Sequence, residues 1–117
     1  MSASIDGFYA VYVTGTHGQG LAMVAFRKGR IVGADVGGFM YDGQYSECAS
    51  GGFSVALSIK APPNVPRVQG GITGPQGEEF QLDFVLPKDF DSQSFVRIDT
   101  LRGPVNAKLV KMRGLDE

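Results

Sequence analysis

His17 is the chain's single histidine and Cys48 its single cysteine, so the side chains that most often carry nucleophilic or metal chemistry occur once each. His17 sits among turn residues in Thr14-Gly15-Thr16-His17-Gly18. An imidazole there can act as a base or a metal ligand. With no second histidine and no cysteine pair to share a metal, an exposed turn residue is the expectation and no metal site is expected. Cys48 follows Glu47, and an acidic neighbour disfavours the thiolate that nucleophilic chemistry needs; it reads as a buried or turn residue. Gly15-Thr16-His17-Gly18-Gln19-Gly20 loosely resembles a phosphate cradle. It lacks the Gly-Lys-Ser/Thr ending of a P-loop and the third glycine of a dinucleotide fingerprint, and it lies between β-patterned runs where both motifs need a following helix. It reads as a hairpin. No acid–base pair and no nucleophile beside a base stands out, so neither a catalytic residue nor a cofactor is expected and the protein reads as a non-enzyme.

Asp35 is the more informative polar residue. It lies in the apolar run Ile31-Val32-Gly33-Ala34-Asp35-Val36, and a carboxylate inside a strand is disfavoured unless it finds partners. Backbone amides near Gly37-Gly38, or the hydroxyls of Tyr41 or Tyr45, are the candidate partners; contact with a ligand inside the fold is the alternative. Aromatics beside basic residues, as in Phe26-Arg27 and Phe95-Val96-Arg97, can form a face for single-stranded nucleic acid. Core packing accounts for them more simply. A net charge of −1 adds no general attraction to nucleic acid or anionic lipid.

The elements that must position these residues are read from a period of two. Phe53, Val55, Leu57 and Ile59 alternate with Ser54, Ala56, Ser58 and Lys60, the pattern of an antiparallel strand with core on one side and water on the other. Phe80, Leu82, Phe84 and Leu86 repeat it. Strands are also predicted over 8–13, 21–26, 30–36, 40–46, 95–101 and 105–112. The first is apolar on both faces, which suggests cover from a chain terminus or a partner subunit. Lys28-Gly29 suits a two-residue hairpin turn, where φ > 0 is required. Pro62, Pro63, Pro66 and Pro75 with Gly70, Gly71, Gly74 and Gly77 exclude a helix or central strand over 61–77. Gln69–Thr73 can still add a short edge strand, and the segment is the best candidate for a mobile or functional loop. Pro87-Lys88-Asp89-Phe90 reads as a turn or a single turn of 3₁₀ helix. No window carries a convincing 3.6-residue period.

About eight strands joined mostly by short turns favour an up-and-down meander closing into an antiparallel β-barrel, with a two-sheet sandwich as the runner-up. The barrel interior is either filled by side chains or holds one small ligand. At 117 residues the chain reads as a single domain over 1–117, large enough to bury about two-thirds of its unfolded surface without disulfides or a structural metal. Residues 1–6 hold no basic and apolar signal regions, and no apolar run approaches the ~20 residues of a membrane span. A cytoplasmic location without membrane attachment is expected.

Taken in order, Asp6-Gly7-Phe8-Tyr9, the Gly18-Gln19-Gly20 hairpin, Gly29-Arg30-Ile31-Val32-Gly33-Ala34-Asp35, Tyr41-Asp42-Gly43-Gln44-Tyr45 and Leu86-Pro87-Lys88-Asp89-Phe90 resemble the GrlR family, named for a negative regulator of a bacterial type III secretion system. The resemblance implies a lipocalin-like β-barrel, a homodimer, and action by sequestering a transcriptional activator through an acidic surface loop. The corresponding segment here, Ser46-Glu47-Cys48-Ala49-Ser50-Gly51-Gly52, holds one acid, so that binding loop does not carry over. The chain has no tryptophan for the Gly-x-Trp signature of true lipocalins. Two functions are therefore expected in competition. One is a non-catalytic regulatory barrel that binds a protein partner. The other is a carrier of a small hydrophobic ligand, with Asp35, Tyr41, Tyr45, Phe53, Val55, Leu57, Phe80, Leu82 and Phe84 as the candidate interior set.

Overall fold

The computed structural model describes residues 5–115, so the reading of the extreme N-terminus as signal-free falls largely outside it. Eight strands form one antiparallel sheet: β1 (Gly7–Gly15), β2 (Gly18–Arg27), β3 (Arg30–Asp35), β4 (Met40–Glu47), β5 (Phe53–Ala61), β6 (Glu78–Leu86), β7 (Val96–Ile98) and β8 (Val105–Arg113). The spatial order is β6-β5-β4-β3-β2-β1-β8-β7. Consecutive strands are neighbours throughout except for β6 and β7, and β8 returns to pair with β1. The sheet is thus a nearly closed barrel whose one seam lies between β6 and β7. Closure at β1–β8 protects strands that would otherwise present unpaired edges.

The alternation read from β5 holds: Phe53, Val55 and Ile59 are buried while Ser54, Ala56 and Lys60 are exposed. The Lys28-Gly29 turn has φ of 48° and 86°, both in the left-handed region that a two-residue hairpin of this kind uses. Two expected elements shrink. Of the strand predicted over 95–101 only Val96–Ile98 is ladder, because Phe95 and Leu101 have no partner strand across the seam. The short edge strand over Gln69–Thr73 reduces to an isolated bridge between Pro66 and Ile72. A single 3₁₀ turn is present at Phe90–Ser92, just after the predicted Pro87–Phe90 segment, which itself forms a turn closed by the Phe90 amide on the Pro87 carbonyl (3.1 Å).

The two ends of the barrel differ. At the end formed by the β2–β3, β4–β5 and β6–β7 connections, Phe90 plugs the interior. Its ring lies 5.8 Å from that of Tyr9, 6.0 Å from Phe53 and 6.3 Å from Phe26, with Tyr45 5.3 Å beyond Phe26. At the opposite end the Pro/Gly-rich segment 62–77 folds over the opening. The His17 amide donates to the Val68 carbonyl (3.0 Å), and Gly15 approaches Val68 so closely that a Cβ there would lie 2.4 Å from the same oxygen. Arg67 and Arg102 both pair with Glu78, the first residue of β6. Because Arg102 belongs to the β7–β8 turn, this carboxylate ties the covering segment and both sides of the seam together.

The outside of the barrel carries an unusual row. Strand register aligns Val110, Ala10, Met23, Ala34 and Met40 across β8, β1, β2, β3 and β4, and a second row aligns Phe8, Ala25 and Val32. Phe8, Met23, Val32, Met40 and Val110 are each at least 40% exposed. The apolar outer face expected for the first strand therefore extends over five strands.

Candidate ligand-binding site

Between the aromatic plug and the covering segment the barrel holds a partly open cavity of ≈ 340 Å³. Its walls are the inward positions of the alternating strands: Val11 and Val13 from β1, Val24 from β2, Leu57 from β5, and Phe80 and Leu82 from β6. Pro66, Val68 and Gln69 line its upper end. Two inward positions on adjacent strands are glycine, which lets the neighbouring strands approach closely. A Cβ on Gly43 would lie 2.2 Å from the Ala56 carbonyl oxygen, and one on Gly33 would lie 2.6 Å from that of Met23. The strands bend inward so tightly at these points that no side chain fits, as at a barrel corner.

Asp35, at the end of β3, is the only charged residue lining the cavity among the described residues. One carboxylate oxygen accepts the amides of Gly37 and Phe39, each at 2.9 Å, and the other accepts the Tyr41 hydroxyl at 2.8 Å. Both expected classes of partner, the amides after β3 and a tyrosine, are thus present. The amide bonds shape the β3–β4 turn, while the hydroxyl bond crosses to β4. No cationic side chain pairs with this carboxylate among the described residues. Burial, followed by the adjacent Asp35 charge, pushes the Tyr41 hydroxyl well above the usual tyrosine range.

Of the interior set expected from sequence, Asp35, Tyr41, Val55, Leu57, Phe80, Leu82 and Phe84 line the cavity. Tyr45 and Phe53 do not reach it. They belong to the aromatic plug, where Tyr45 hydrogen-bonds to Asp6 and its ring meets Phe53 edge-on at 6.3 Å. The reason is their height in the barrel: both lie nearer the β4–β5 turn than the cavity residues of the same strands. Sequence reasoning missed Val68, Gln69 and Thr100. Nothing local marks a loop residue as covering a cavity, although Gln69 and Thr100 are joined by a 3.4 Å hydrogen bond over its rim. His17 is exposed in its turn, and Cys48 lies in the β4–β5 turn, where its carbonyl accepts the Gly51 amide at 2.9 Å. Among the described residues no group of three metal-ligating side chains occurs. No helix among the described residues is long and apolar enough to cross a membrane. Comparison with family models, curated proteins and solved structures gave no match.

The tyrosines make a prediction about pH. Burial first, with Asp91, Tyr45 and Asp6 adding to it, pushes Tyr9 up to about 12; burial and the Asp6 hydrogen bond push Tyr45 up to about 12. Above the ordinary value of 10.0 the unfolded chain gives up these protons while the fold retains them. Stability from these groups is therefore complete below about pH 10 and declines as pH rises toward 12. Thermal melts should show a level plateau through pH 9 and a steep fall above 10, with tyrosinate absorbance rising alongside unfolding. Unchanged melting between pH 9 and pH 12 would contradict the assignment.

Proposed function

We propose that this protein is a non-catalytic barrel that binds one small apolar ligand. The cavity carries the reading. A well-packed core leaves few voids larger than a water molecule, whereas a partly open cavity of ≈ 340 Å³ lies inside this barrel. That volume is inside the range of roughly 300–1,000 Å³ typical of ligand pockets, and its walls are almost wholly aliphatic and aromatic. In this use the barrel is lipocalin-like. The experiment is titration with a neutral apolar fluorophore such as N-phenyl-naphthylamine. Saturable one-site enhancement, lost in a cavity-filling Leu57→Trp variant that retains its β-sheet circular dichroism, is expected. A fluorophore that fails to bind, or binds the filled variant equally well, would sink the proposal.

The second reading is a cytoplasmic regulatory barrel that works through a protein surface, as the GrlR resemblance implies, and as a homodimer. The apolar rows over β8-β1-β2-β3-β4 favour it, since contiguous exposed apolar patches mark interaction sites. A two-fold axis parallel to the strands would lay β8 of one copy over β4 of the other, bringing Arg113 toward Asp42 at the flanks of the Phe8–Ala25–Val32 row. Light scattering at micromolar concentration should give a dimer mass, reduced to a monomer by Met23→Glu. A monomeric wild type would remove the homodimer.

A further inference from the structure

The cavity wall carries neutral polar groups at Gln19, Gln69 and Thr100, but its charge lies on one side, and this assigns the head group of the ligand; the inference rests on the ligand-binding reading above. On the β3–β4 side the cavity meets Asp35 and Tyr41. The Tyr41 proton is already committed to Asp35, as are the Gly37 and Phe39 amides. What these groups still offer a ligand is acceptor capacity alone: free lone pairs on the carboxylate and on the phenolic oxygen. Among the described residues Asp35 is the only charged side chain on the cavity wall, and no cation pairs with it. Glu78, a second carboxylate at this end, is taken up by Arg67 and Arg102.

We propose that the cavity selects apolar molecules with a hydrogen-bond-donating head group, alkyl amines ahead of alcohols, and discriminates against fatty acids. An ammonium gains both charge attraction and hydrogen bonds to Asp35. An alcohol gains a hydrogen bond without the charge. A carboxylate has no proton to donate at neutral pH and brings a like charge into a cavity with walls of low polarity, where repulsion is screened less than in water. The cavity volume equals that of about a dozen waters at roughly 30 Å³ each, which suits a medium-length chain.

The test is displacement of N-phenyl-naphthylamine from the intact protein by decylamine, decanol and decanoate at neutral pH, each below its aggregation concentration. Decylamine and decanol should displace the dye with decanoate at least about tenfold weaker, a difference within reach of one partly screened charge pair. Asp35→Asn keeps a carbonyl oxygen for the two amides but removes the charge. It should bring decanoate to within a few-fold of decanol and weaken decylamine. The wild-type order decides the matter even if the variant does not fold. Equal displacement by all three compounds, or decanoate strongest, overturns the head-group assignment and leaves the ligand-binding reading standing. No binding of the dye or of any competitor removes both.

Discussion

Phe90→Ala should lower the unfolding free energy by about 3–5 kcal/mol, the usual cost of truncating a buried phenylalanine. For a domain whose whole stability is on the order of 5–15 kcal/mol this is a large fraction. Phe90 is 1% exposed and closes one end of the barrel, touching rings contributed by β1, β2 and β5 through Tyr9, Phe26 and Phe53. Those rings sit on a hydrogen-bonded sheet and cannot move inward to fill the gap, which places the cost toward the upper part of the range. The connection carrying Phe90 also bridges the seam, where β6 and β7 share no ladder. Lys108 reinforces it by donating to the Gln93 carbonyl at 2.7 Å. Loss of the plug should therefore loosen the β6–β7 connection, seen as faster amide exchange over 87–95. Phe95→Ala serves as the comparison. Phe95 is 55% exposed, and its truncation should stay within about 0.5 kcal/mol, as surface substitutions do. Urea denaturation of the two variants checks both figures; similar midpoints would show that Phe90 is not the plug.

The contrast between these two phenylalanines shows what could be read in the chain and what could not. Inward positions along β5 and β6 are legible because a strand alternates strictly, and Phe53, Val55, Leu57 and Ile59 have polar or small neighbours on the other face. Phe90 and Phe95 lie in an irregular connection. No period orders such a segment, so composition alone does not say which ring turns inward. The seam was equally hidden. Phe95 to Leu101 has the look of a full strand, yet it is shortened by the absence of pairing to β6, a long-range fact. The cavity is divided from the plug by height along the barrel axis, which depends on stagger between strands. Alternation alone therefore groups Tyr45 and Phe53 with cavity residues that they do not join in the fold. Asp35 was legible for the opposite reason. Its partners Gly37, Phe39 and Tyr41 all follow within six residues, so an unusual residue and its remedy appear together in the sequence. The Tyr45–Asp6 bond spans 39 residues and leaves no such local trace.

Asp35→Ala should cost about 2–4 kcal/mol, since hydrogen bonds to a charged group contribute roughly 1.5–3 kcal/mol each and the two amides can recover part of theirs from water. The Gly37 amide is at the surface, whereas the Tyr41 hydroxyl is not; it loses its acceptor and stays enclosed. Tyr41→Phe in the wild type should cost only about 1 kcal/mol, because the hydroxyl leaves together with its need for a partner. In the Asp35→Ala background the same change should be neutral or stabilising, giving a coupling energy of about 1–2 kcal/mol between the two sites. Denaturation of the four proteins measures this cycle, and additive effects would show that the 2.8 Å contact contributes no net stability. The cycle also separates two roles that Asp35 fills at once. Turn formation requires an oxygen facing the Gly37 and Phe39 amides, which asparagine supplies nearly as well as aspartate. Selection of a ligand requires the charge, which asparagine lacks. A variant series in which Asp35→Asn keeps most of the stability that Asp35→Ala loses, yet largely abolishes the preference for amine over carboxylate, would assign the amide acceptor to the fold and the charge to the cavity.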